Sequence, residues 1–202
     1  NGKKIRYTVE NGCGTTSSNE VAITVNDVPE LGTISAPGAV CAGSALSLTA
    51  PSVNEKGSSV TTQGWQIEDA IGSGNYITFN TANTMSYADN GKSIRYSATN
   101  ACGTTTTTSV TIVVNDKPGV SAFVAPAAVC SGNDLTLTEP SVSDNGTAVT
   151  SKGWEIETAV GSGSYTTFTA PYTVNYTDNG KKLHFRATNA CGTSYSTTQV
   201  IS

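Results

Sequence analysis

The chain has 202 residues, of which 13% are charged and 37% hydrophobic, and its net charge at pH 7 is −4. This acidic balance argues against nucleic acid as a partner, because a phosphate backbone is bound by a basic surface. No apolar run is long enough to span a bilayer, so we also expect no membrane insertion. Abundant Thr, Ser and Gly with little Leu predict an all-β fold.

The sequence repeats itself every 89 residues. Cys13, Cys102 and Cys191 are spaced by this period, and so are Trp65 and Trp154. Such self-similarity is typical of a tandem array. We therefore predict that residues 1–28 are the last strands of a truncated repeat and that residues 29–116 and 117–202 are two further repeats. We expect the chain to be a segment of a longer array.

The first 28 residues contain too little chain to bury their apolar side chains. Ile5, Tyr7, Val21 and Ile23 alternate with polar residues, as in two strands that are each covered on one face. A two-stranded hairpin is marginal in water. We expect the missing strands to come from the same long chain or from a neighbouring molecule.

The next repeat shows the alternation of short strands separated by turn residues. Strands are predicted at Gly32–Ala36, Ala45–Ala50, Gly64–Asp69, Tyr76–Phe79 and Met85–Ala88, followed by two more in the last third. The side chains predicted to be buried are Leu46, Leu48, Trp65, Ile94, Tyr96, Trp154, Leu183 and Phe185.

The most regular stretch is Asp89–Gly103, which reads DNGKSIRYSATNACG and has relatives at Asn1–Gly14 and Asp178–Gly192. An Asn-Gly turn starts a strand of period two, and a Cys-Gly turn ends it. The strand that follows should be apolar on one face. Gln199 stands where Val110 predicts an apolar residue, so we expect the last strand of residues 117–202 to be frayed or shifted in register.

About seven short strands with an inward Trp on the third predict a β-sandwich of immunoglobulin type. The penultimate strand resembles the immunoglobulin pattern at Asp89, Gly91, Ala98, Asn100 and Gly103, with one extra residue after the Gly. Tyr96 occupies the position where that family usually has its buried cysteine. The intersheet disulfide of that family is therefore expected to be absent.

Three motifs carry a wider resemblance: Val40–Gly43, Gly64–Trp65 and Ala98–Gly103. With them the repeat resembles the bacterial Ig-like modules of very large Bacteroidota surface proteins, including adhesins of the gliding-motility type. The resemblance covers nearly the whole chain. It implies export, by the type IX system, to the cell surface and a role in adhesion or reach. It names no ligand.

Catalysis has little support in the sequence. The lone His184 replaces Arg95 on the outward face of its strand, which suggests a solvated substitution, and no Ser or Cys has an evident base. Zinc sites need clustered Cys and His, which are missing. We expect no enzyme activity and no cofactor.

A calcium site and a sugar-binding site were also considered from the residue types, but a purely structural role explains the same residues. Asp27, Asp89, Asp116 and Asp178 could bring oxygens together for calcium near the linkers, but Asx turns and strand-end capping explain the same residues. Trp65 and Trp154 could stack on sugars. Their spacing from the inward-facing isoleucines favours core packing, together with Tyr96 and Phe185.

The five cysteines predict disulfides and an oxidising compartment. Pairing within each repeat would join Cys41 to Cys102 and Cys130 to Cys191. In an immunoglobulin sandwich, however, those turns lie at opposite ends, roughly 25 Å apart, whereas disulfide Cα atoms lie within about 7 Å. We favour an interdomain Cys41–Cys191 bond, with partners for Cys13 and the others outside this chain. Because the strand order is itself inferred, both pairings stay open here.

Three hypotheses for function follow. The first is a stalk or filament segment of a cell-surface adhesin, whose partners are neighbouring repeats of the same long chain. The second is a binding module that recognises carbohydrate or protein, for which Tyr172 and Tyr195 are the aromatic hints. The third is an accessory domain of a secreted enzyme. Equal repeats with linkers of four residues favour the first.

Overall fold

A computed structural model describes all 202 residues, Asn1–Ser202, as short β-strands with two 3-10 helices. The strands β1 to β22 are, in chain order, Lys4–Ile5, Thr8–Asn11, Gly14–Ser17, Val21–Ala22, Glu30–Leu31, Val40–Cys41, Val53–Asn54, Thr62–Glu68, Tyr76–Thr78, Ser93–Asn100, Gly103–Thr106, Val110–Thr111, Val114–Asn115, Gly119–Val120, Asp134–Leu135, Val142–Ser143, Ser151–Glu157, Tyr165–Phe168, Tyr172–Thr173, Lys182–Asn189, Gly192–Tyr195 and Gln199–Val200. The 3-10 helices are Tyr87–Asp89 and Tyr176–Asp178. The prediction of an all-β fold is confirmed.

The chain forms two compact units whose limits differ from those of the sequence repeats. The first unit comprises Asn1–Gly38, Leu46–Asn83 and Gly91–Ile112, and the second comprises Ala39–Ala45, Thr84–Asn90 and Val113–Ser202. Part of the repeat at residues 29–116 therefore belongs to the second unit. The boundaries 1–28, 29–116 and 117–202 therefore describe the repeat in the sequence, and the compact units have other limits.

The second unit contains a complete sandwich. One sheet has the order β18-β17-β20-β21, with β22 pairing the other end of β20, and the opposite layer consists of the pairs β14–β16 and β15–β19. Trp154 lies opposite Phe185, and Ile156 lies opposite Leu183. Both layers contribute to one core: Phe123, Leu135, Trp154, Ile156, Val174, Leu183, Phe185 and Ile201. This is the immunoglobulin arrangement, with the Trp strand beside the penultimate strand.

The first unit builds the same main sheet, with the order β9-β8-β10-β11 and β12 on the other end of β10. Tyr96 lies opposite Trp65 in the register that Phe185 and Trp154 have one period later. Trp65, Tyr96, Ile94 and Leu46 are buried. Tandem immunoglobulin-like sandwiches are therefore confirmed. Leu48 was predicted to be buried but is only half-buried, because only the first leucine of its segment reaches the core, as with Leu135 and Leu137 one period later.

The strands outside the main sheets differ from the prediction. Glu30–Leu31, which pairs with Val53–Asn54, replaces the strand predicted at Gly32–Ala36. The segment Ala45–Ala50 makes no ladder beyond a single bridge between Ala45 and Thr84. Both predictions of extent were wrong, because apolar alternation shows which face is buried but not where strand pairing begins.

A strand was also predicted at Met85–Ala88, where the structure has the 3-10 helix Tyr87–Asp89. Ser86 accepts a hydrogen bond from the Ala88 N–H at 3.2 Å, and the Asp89 carboxylate accepts one from the Ser86 N–H at 2.9 Å. The Ser86 side chain also faces the Asp89 N–H, and this contact and the Asp89 bond to the Ser86 N–H form a capping box. Side chains that bond the local backbone compete with extended structure, which explains the error.

The last strand of the second unit is neither frayed nor shifted, contrary to prediction. Gln199 pairs with Leu183 as Val110 pairs with Ile94. The amide of Gln199 donates to the Phe123 carbonyl at 3.4 Å. A hydrogen bond to the neighbouring backbone thus lets a polar side chain occupy the position.

Residues 1–28 form two small antiparallel pairs, β1–β4 and β2–β3. Their apolar side chains Ile5, Tyr7, Val21 and Ile23 are exposed. The prediction that other strands complete this segment stays a prediction.

Candidate functional site

The most constrained polar site of the second unit surrounds Asn189, the last residue of β20. Its side chain is buried, and its Nδ2 atom lies 2.8 Å from the Asp116 carbonyl, 3.0 Å from the Asp144 carbonyl and 3.3 Å from the Thr147 carbonyl. The two N–H donors of the amide are shared among these three acceptors. We call this group of four residues the linker clamp, because Asp116 lies in the linker before Pro118.

Two further contacts hold the same linker. The Asp116 N–H donates to the Asn145 carbonyl at 2.9 Å, and the Asn145 amide donates to the Lys117 carbonyl at 2.8 Å. Asn115 packs against Gly146, which has a φ of +96° and no room for a Cβ. Only glycine meets both conditions without strain. The linker is therefore part of the hydrogen-bonded structure of the second unit.

The first unit builds the same clamp around its own linker. Asn100 Nδ2 lies 2.8 Å from the Asp27 carbonyl and 3.2 Å from the carbonyls of Glu55 and Ser58. Buried amides are costly unless they are bonded, so a repeated set of partners indicates a specific structural requirement. The repeated Asn at the end of each penultimate strand was visible in the sequence. Its hydrogen-bond partners lie 42 to 73 residues away, so the sequence did not show what it binds.

A disulfide lies beside the clamp of the second unit. Cys41 and Cys191 are bonded, with their Cα atoms 5.4 Å apart and 150 residues between them in sequence. The Asn189 Oδ1 atom accepts a hydrogen bond from the Cys191 N–H at 2.8 Å. One asparagine thus positions the linker through its nitrogen and the cysteine turn through its oxygen.

The Cys41 side of the disulfide is held by strand pairing. Val40–Cys41 runs parallel to Val114–Asn115. The Val40 N–H donates to the Val113 carbonyl at 3.1 Å, and the Ala42 N–H donates to the Asn115 carbonyl at 2.8 Å. The disulfide therefore joins a cysteine of each sequence repeat beside the linker: Cys41 pairs with the strand before the linker, and Cys191 follows the asparagine that holds it.

The sequence left two cysteine pairings open, and the structure contains the one between repeats. The bonds Cys41–Cys102 and Cys130–Cys191 are absent, and Cys13, Cys102 and Cys130 are free and exposed. Because both bonded cysteines belong to the second unit, the staple is internal to one compact unit even though it joins two repeats.

The four aspartates considered for calcium serve turns. Asp27 and Asp116 each accept a hydrogen bond at 2.8 Å from the N–H of the next residue, and Asp89 caps a 3-10 helix. No three acidic, His or Cys residues lie together. The structure therefore does not bring the aspartates into one site.

Asp178 is the buried member of this set. Its carboxylate accepts hydrogen bonds from the Asn175 N–H at 2.9 Å, the Lys181 ammonium at 2.9 Å and the Tyr172 hydroxyl at 3.1 Å. Burial alone raises the pKa of Asp178, but these bonds outweigh it and lower the pKa overall. Tyr172 therefore has a structural partner, and its own pKa is raised by burial, then by its hydrogen bond to Asp178 and the charge of that carboxylate.

His184 was predicted to be solvated, which is wrong, since it is only 7% exposed. Its ring lies between Tyr165 at 4.1 Å and Tyr195 at 4.8 Å, measured between centroids. Its Nε2 atom is 2.9 Å from Glu155 Oε2, and the other oxygen of Glu155 is 3.1 Å from Arg186 Nε. The outward face is covered because Tyr195 on the adjacent strand β21 and Tyr165 on β18, which lies beyond β17, both reach the His184 ring.

The matching face of the first unit is built differently. The Arg95 guanidinium lies over the Tyr76 ring, 3.8 Å from its centroid, and its Nε donates to Gln66 Oε1 at 2.8 Å. A cation–π contact thus takes the place of the Tyr-His-Tyr stack.

Both tryptophans lie in the cores and are not exposed platforms for sugars. Trp65 meets Tyr96 edge to face at 5.3 Å, and Trp154 meets Phe185 in the same way at 5.0 Å. Trp154 also contacts Phe123 and Phe168.

Glu68 and Glu157 are buried, which the alternation along their strands did not predict. Glu157 accepts hydrogen bonds from the Gly163 N–H at 2.9 Å and the Lys182 N–H at 3.2 Å, and Glu68 accepts the equivalent pair from Gly74 and Ser93. The bonds from the glycine N–H groups are the main reason that the pKa of each glutamate is lowered. In the sequence, both glutamates precede a Gly-Ser-Gly turn at the same spacing, and this recurrence is the pattern that indicates a shared structural role.

No helix in the structure is long and apolar enough to cross a membrane. No protein-family profile matches the sequence, and neither does any curated protein.

Three solved structures with a similar arrangement have low sequence identity to this chain. The N-terminal eight Ig domains of Down syndrome cell adhesion molecule are 18% identical with a TM-score of 0.48, and the alignment covers 96% of this chain and 30% of that one. The insect immune protein hemolin is 16% identical with a TM-score of 0.40, covering 98% and 55%. Domains A168–A170 of titin are 20% identical with a TM-score of 0.37, covering 94% and 71%. The chain thus spans less than a third of the first of these proteins.

Proposed function

We propose that this chain is a structural segment of a cell-surface adhesin, in which successive Ig-like repeats are stapled at their linkers into a filament. The observation that carries the proposal is the Cys41–Cys191 disulfide beside the linker clamp. A linker held by backbone hydrogen bonds and bridged by a covalent bond has lost the freedom that a flexible tether needs. This suits a part that transmits force or projects another domain.

The position of the disulfide has a mechanical consequence. When the chain is pulled from its two ends, tension passes from Cys41 directly to Cys191 through the sulfur atoms. The 150-residue separation between them is bypassed, so most of both repeats carries no load. At about 3.4 Å per extended residue, the bond shortens the stretched chain by roughly 500 Å.

The disulfide also supports an extracellular location, because disulfides persist in oxidising compartments. The partners in this proposal are neighbouring repeats of the same kind. The finer assignment, to an exported Bacteroidota adhesin of the gliding-motility type that uses type IX secretion, rests on the sequence motifs alone. The proposal assigns the chain no catalysis, cofactor or metal.

Single-molecule pulling from residues 1 and 202 tests the structural role. With the disulfide intact, we expect no unfolding event that releases residues 42–190, and after reduction we expect the additional release of roughly 500 Å. The Cys41→Ser variant should behave like the reduced chain, and Cys13→Ser should behave like the oxidised chain. Release of the full length under oxidising conditions would contradict the proposal.

One observation favours a second candidate function, a binding face on the second unit. Tyr195 is 54% exposed and packs on His184, whereas the equivalent position in the first unit is Thr106. Exposed aromatic rings that are held rigidly suit carbohydrate or protein ligands. A glycan array tests this candidate with Tyr195→Thr as the matched control. A clear hit that the variant loses would replace the structural proposal.

A further inference from the structure

The first unit contains two stretches of chain whose backbone groups are not paired. Residues 33–38 and 47–50 both belong to this unit, and neither stretch makes a backbone hydrogen bond. None of these residues is buried, so their N–H and C=O groups are open to water. Unpaired backbone groups of this kind are a template for pairing with a strand of another chain.

The two stretches line one groove of about 500 Å³, which we call the strand groove. It lies within residues 31–54, a part of the sequence without any charged side chain. A strand rises about 3.3 Å per residue, so the stretch 47–50 offers a pairing edge of roughly 13 Å. A short strand placed in the groove would have open backbone groups on both of its sides.

The second unit fills the equivalent place with an aromatic ring. Phe123 stands one period after Ile34, is 7% exposed and meets Trp154 edge to face at 4.8 Å. Ile34 is only half-buried, and the one aromatic neighbour of Trp65 is Tyr96. The smaller side chain thus leaves open in the first unit what a phenylalanine closes in the second.

The second unit also carries charges along the equivalent edge. Asp134 and Glu139 stand one period after Ala45 and Ala50, and Glu139 forms an ion pair with Lys152. Charged side chains on an edge oppose pairing with other chains. The first unit has neither the ring nor the charges, so its edge is unprotected.

We propose that the strand groove binds an uncharged, extended peptide segment of a partner protein, which adds to the first unit as a strand. Main-chain hydrogen bonds supply the affinity in this mode of recognition. The segment is uncharged because a charge would lose its hydration against walls that offer no counter-ion.

The occupant is an unpaired segment, not an edge strand of a second folded copy. Open backbone groups line the groove on two sides, whereas an edge strand of a folded sheet has one side already paired. The groove contains neither the disulfide nor the linker clamp, so this inference goes beyond the structural role and does not depend on it.

A library of peptides of about seven residues, displayed on phage and panned against the full chain, tests the proposal. We expect enriched peptides to lack charges and proline over about four successive positions, since proline has no N–H to donate. Hydrogen exchange at residues 33–38 and 47–50 should be fast in the free chain and slow once an enriched peptide is bound. No enrichment, or protection confined to other residues, would overturn the inference.

Two variants copy the second unit and should close the groove. Ile34→Phe and Ala50→Glu should each weaken the binding of an enriched synthetic peptide, measured by fluorescence anisotropy, by about tenfold or more. Ala82→Glu adds the same charge at an exposed alanine outside the groove and should leave the affinity unchanged. Full affinity in both groove variants would contradict the proposal.

Sedimentation of the chain without peptide distinguishes the other occupant. We expect no self-association through this groove. Dimers that Ala50→Glu dissolves would identify a second copy as the occupant and would overturn the assignment to a peptide segment. None of these outcomes depends on the pulling experiment.

Discussion

The side-chain amide of Asn189 donates to the carbonyl of Asp116 at 2.8 Å, and Asn100 repeats this contact with Asp27 at the same distance. Each pair joins the end of a penultimate strand to a linker 73 residues earlier in the sequence. The contact is thus a property of the repeat. It makes the linker part of the folded unit that follows it.

Asn189→Ala should destabilise the second unit by about 1–3 kcal/mol, because it removes the buried amide that three backbone carbonyls share and leaves them without that donor. Urea unfolding measures the effect, and each unit contains one tryptophan, so a Trp65→Phe background reports on the second unit alone. Asn100→Ala should produce the same loss in the first unit.

Asn11 supplies the control for that prediction. It occupies the equivalent position and bonds the Cys13 N–H, but it is exposed and contacts no linker. Asn11→Ala should therefore cost less than about 1 kcal/mol. If Asn11→Ala and Asn189→Ala had equal effects, the clamp would have no special energetic role.

The staple should be the largest single contribution to the stability of the second unit. Closing a loop of this length is worth about 5 kcal/mol in the chain-entropy model. Reduction, or Cys191→Ser, should lower the free energy of unfolding by up to that amount, and the midpoint of urea unfolding measures it. Cys102→Ser removes a free thiol and should change nothing. If the reduced chain were as stable as the oxidised one, the disulfide would raise the free energies of the folded and unfolded states equally and would not stabilise the fold.

The cores were predictable because alternation along a strand identifies the inward face. Trp65, Tyr96, Trp154 and Phe185 follow from this pattern, and all four are buried. The shared register of the two main sheets follows from the repeat, since nothing is inserted between the copies. Local pattern and period were sufficient for both.

The remaining features depend on contacts across strands. The cover over His184 comes from Tyr165 and Tyr195, which lie on two other strands, so alternation within β20 placed the ring on the outward face but could not show its burial. The capping box at Ser86 likewise overrode an apparent strand. Knowledge of the pairing register was needed in the first case, and of side-chain hydrogen bonds in the second.

Trp154 should be more sensitive to truncation than Trp65. Removing a buried tryptophan costs about 3–5 kcal/mol, and Trp154 loses contacts with Phe123, Phe168 and Phe185, whereas Trp65 has one aromatic neighbour, Tyr96. We expect Trp154→Ala near the upper end of that range and Trp65→Ala near the lower end. Calorimetric unfolding of the two variants tests the order, which the opposite ranking would refute.

Stability should fall in acid because of Glu68 and Glu157. Backbone hydrogen bonds, chiefly from Gly74 and Gly163, lower the pKa of each carboxyl in the folded state. A lowered folded-state pKa gives stability that is present above the unfolded pKa, about 4.3 for glutamate, and lost as the pH falls through the folded value. The free energy of unfolding should therefore decline below about pH 5.

Glu157→Gln isolates this effect in the second unit. An amide cannot accept through both of its terminal atoms, so the variant should be less stable at pH 7 and should show a shallower decline in acid. The exposed Glu20, replaced in the same way, serves as the control. An unchanged pH slope in Glu157→Gln would assign the acid sensitivity to other groups.

His184 and Arg95 occupy the same position of the repeat and should be partly interchangeable. His184→Ala should cost about 1–2 kcal/mol, because it opens a gap between two aromatic rings and removes a hydrogen-bond partner from Glu155. His184→Arg should be nearly neutral, since Tyr165 can receive a guanidinium as Tyr76 receives Arg95. Urea unfolding in the Trp65→Phe background compares the two variants. If arginine were as costly as alanine, Tyr195 would be the cause, because the first unit has the small Thr106 at that position, and the double variant His184→Arg, Tyr195→Thr should then recover the loss.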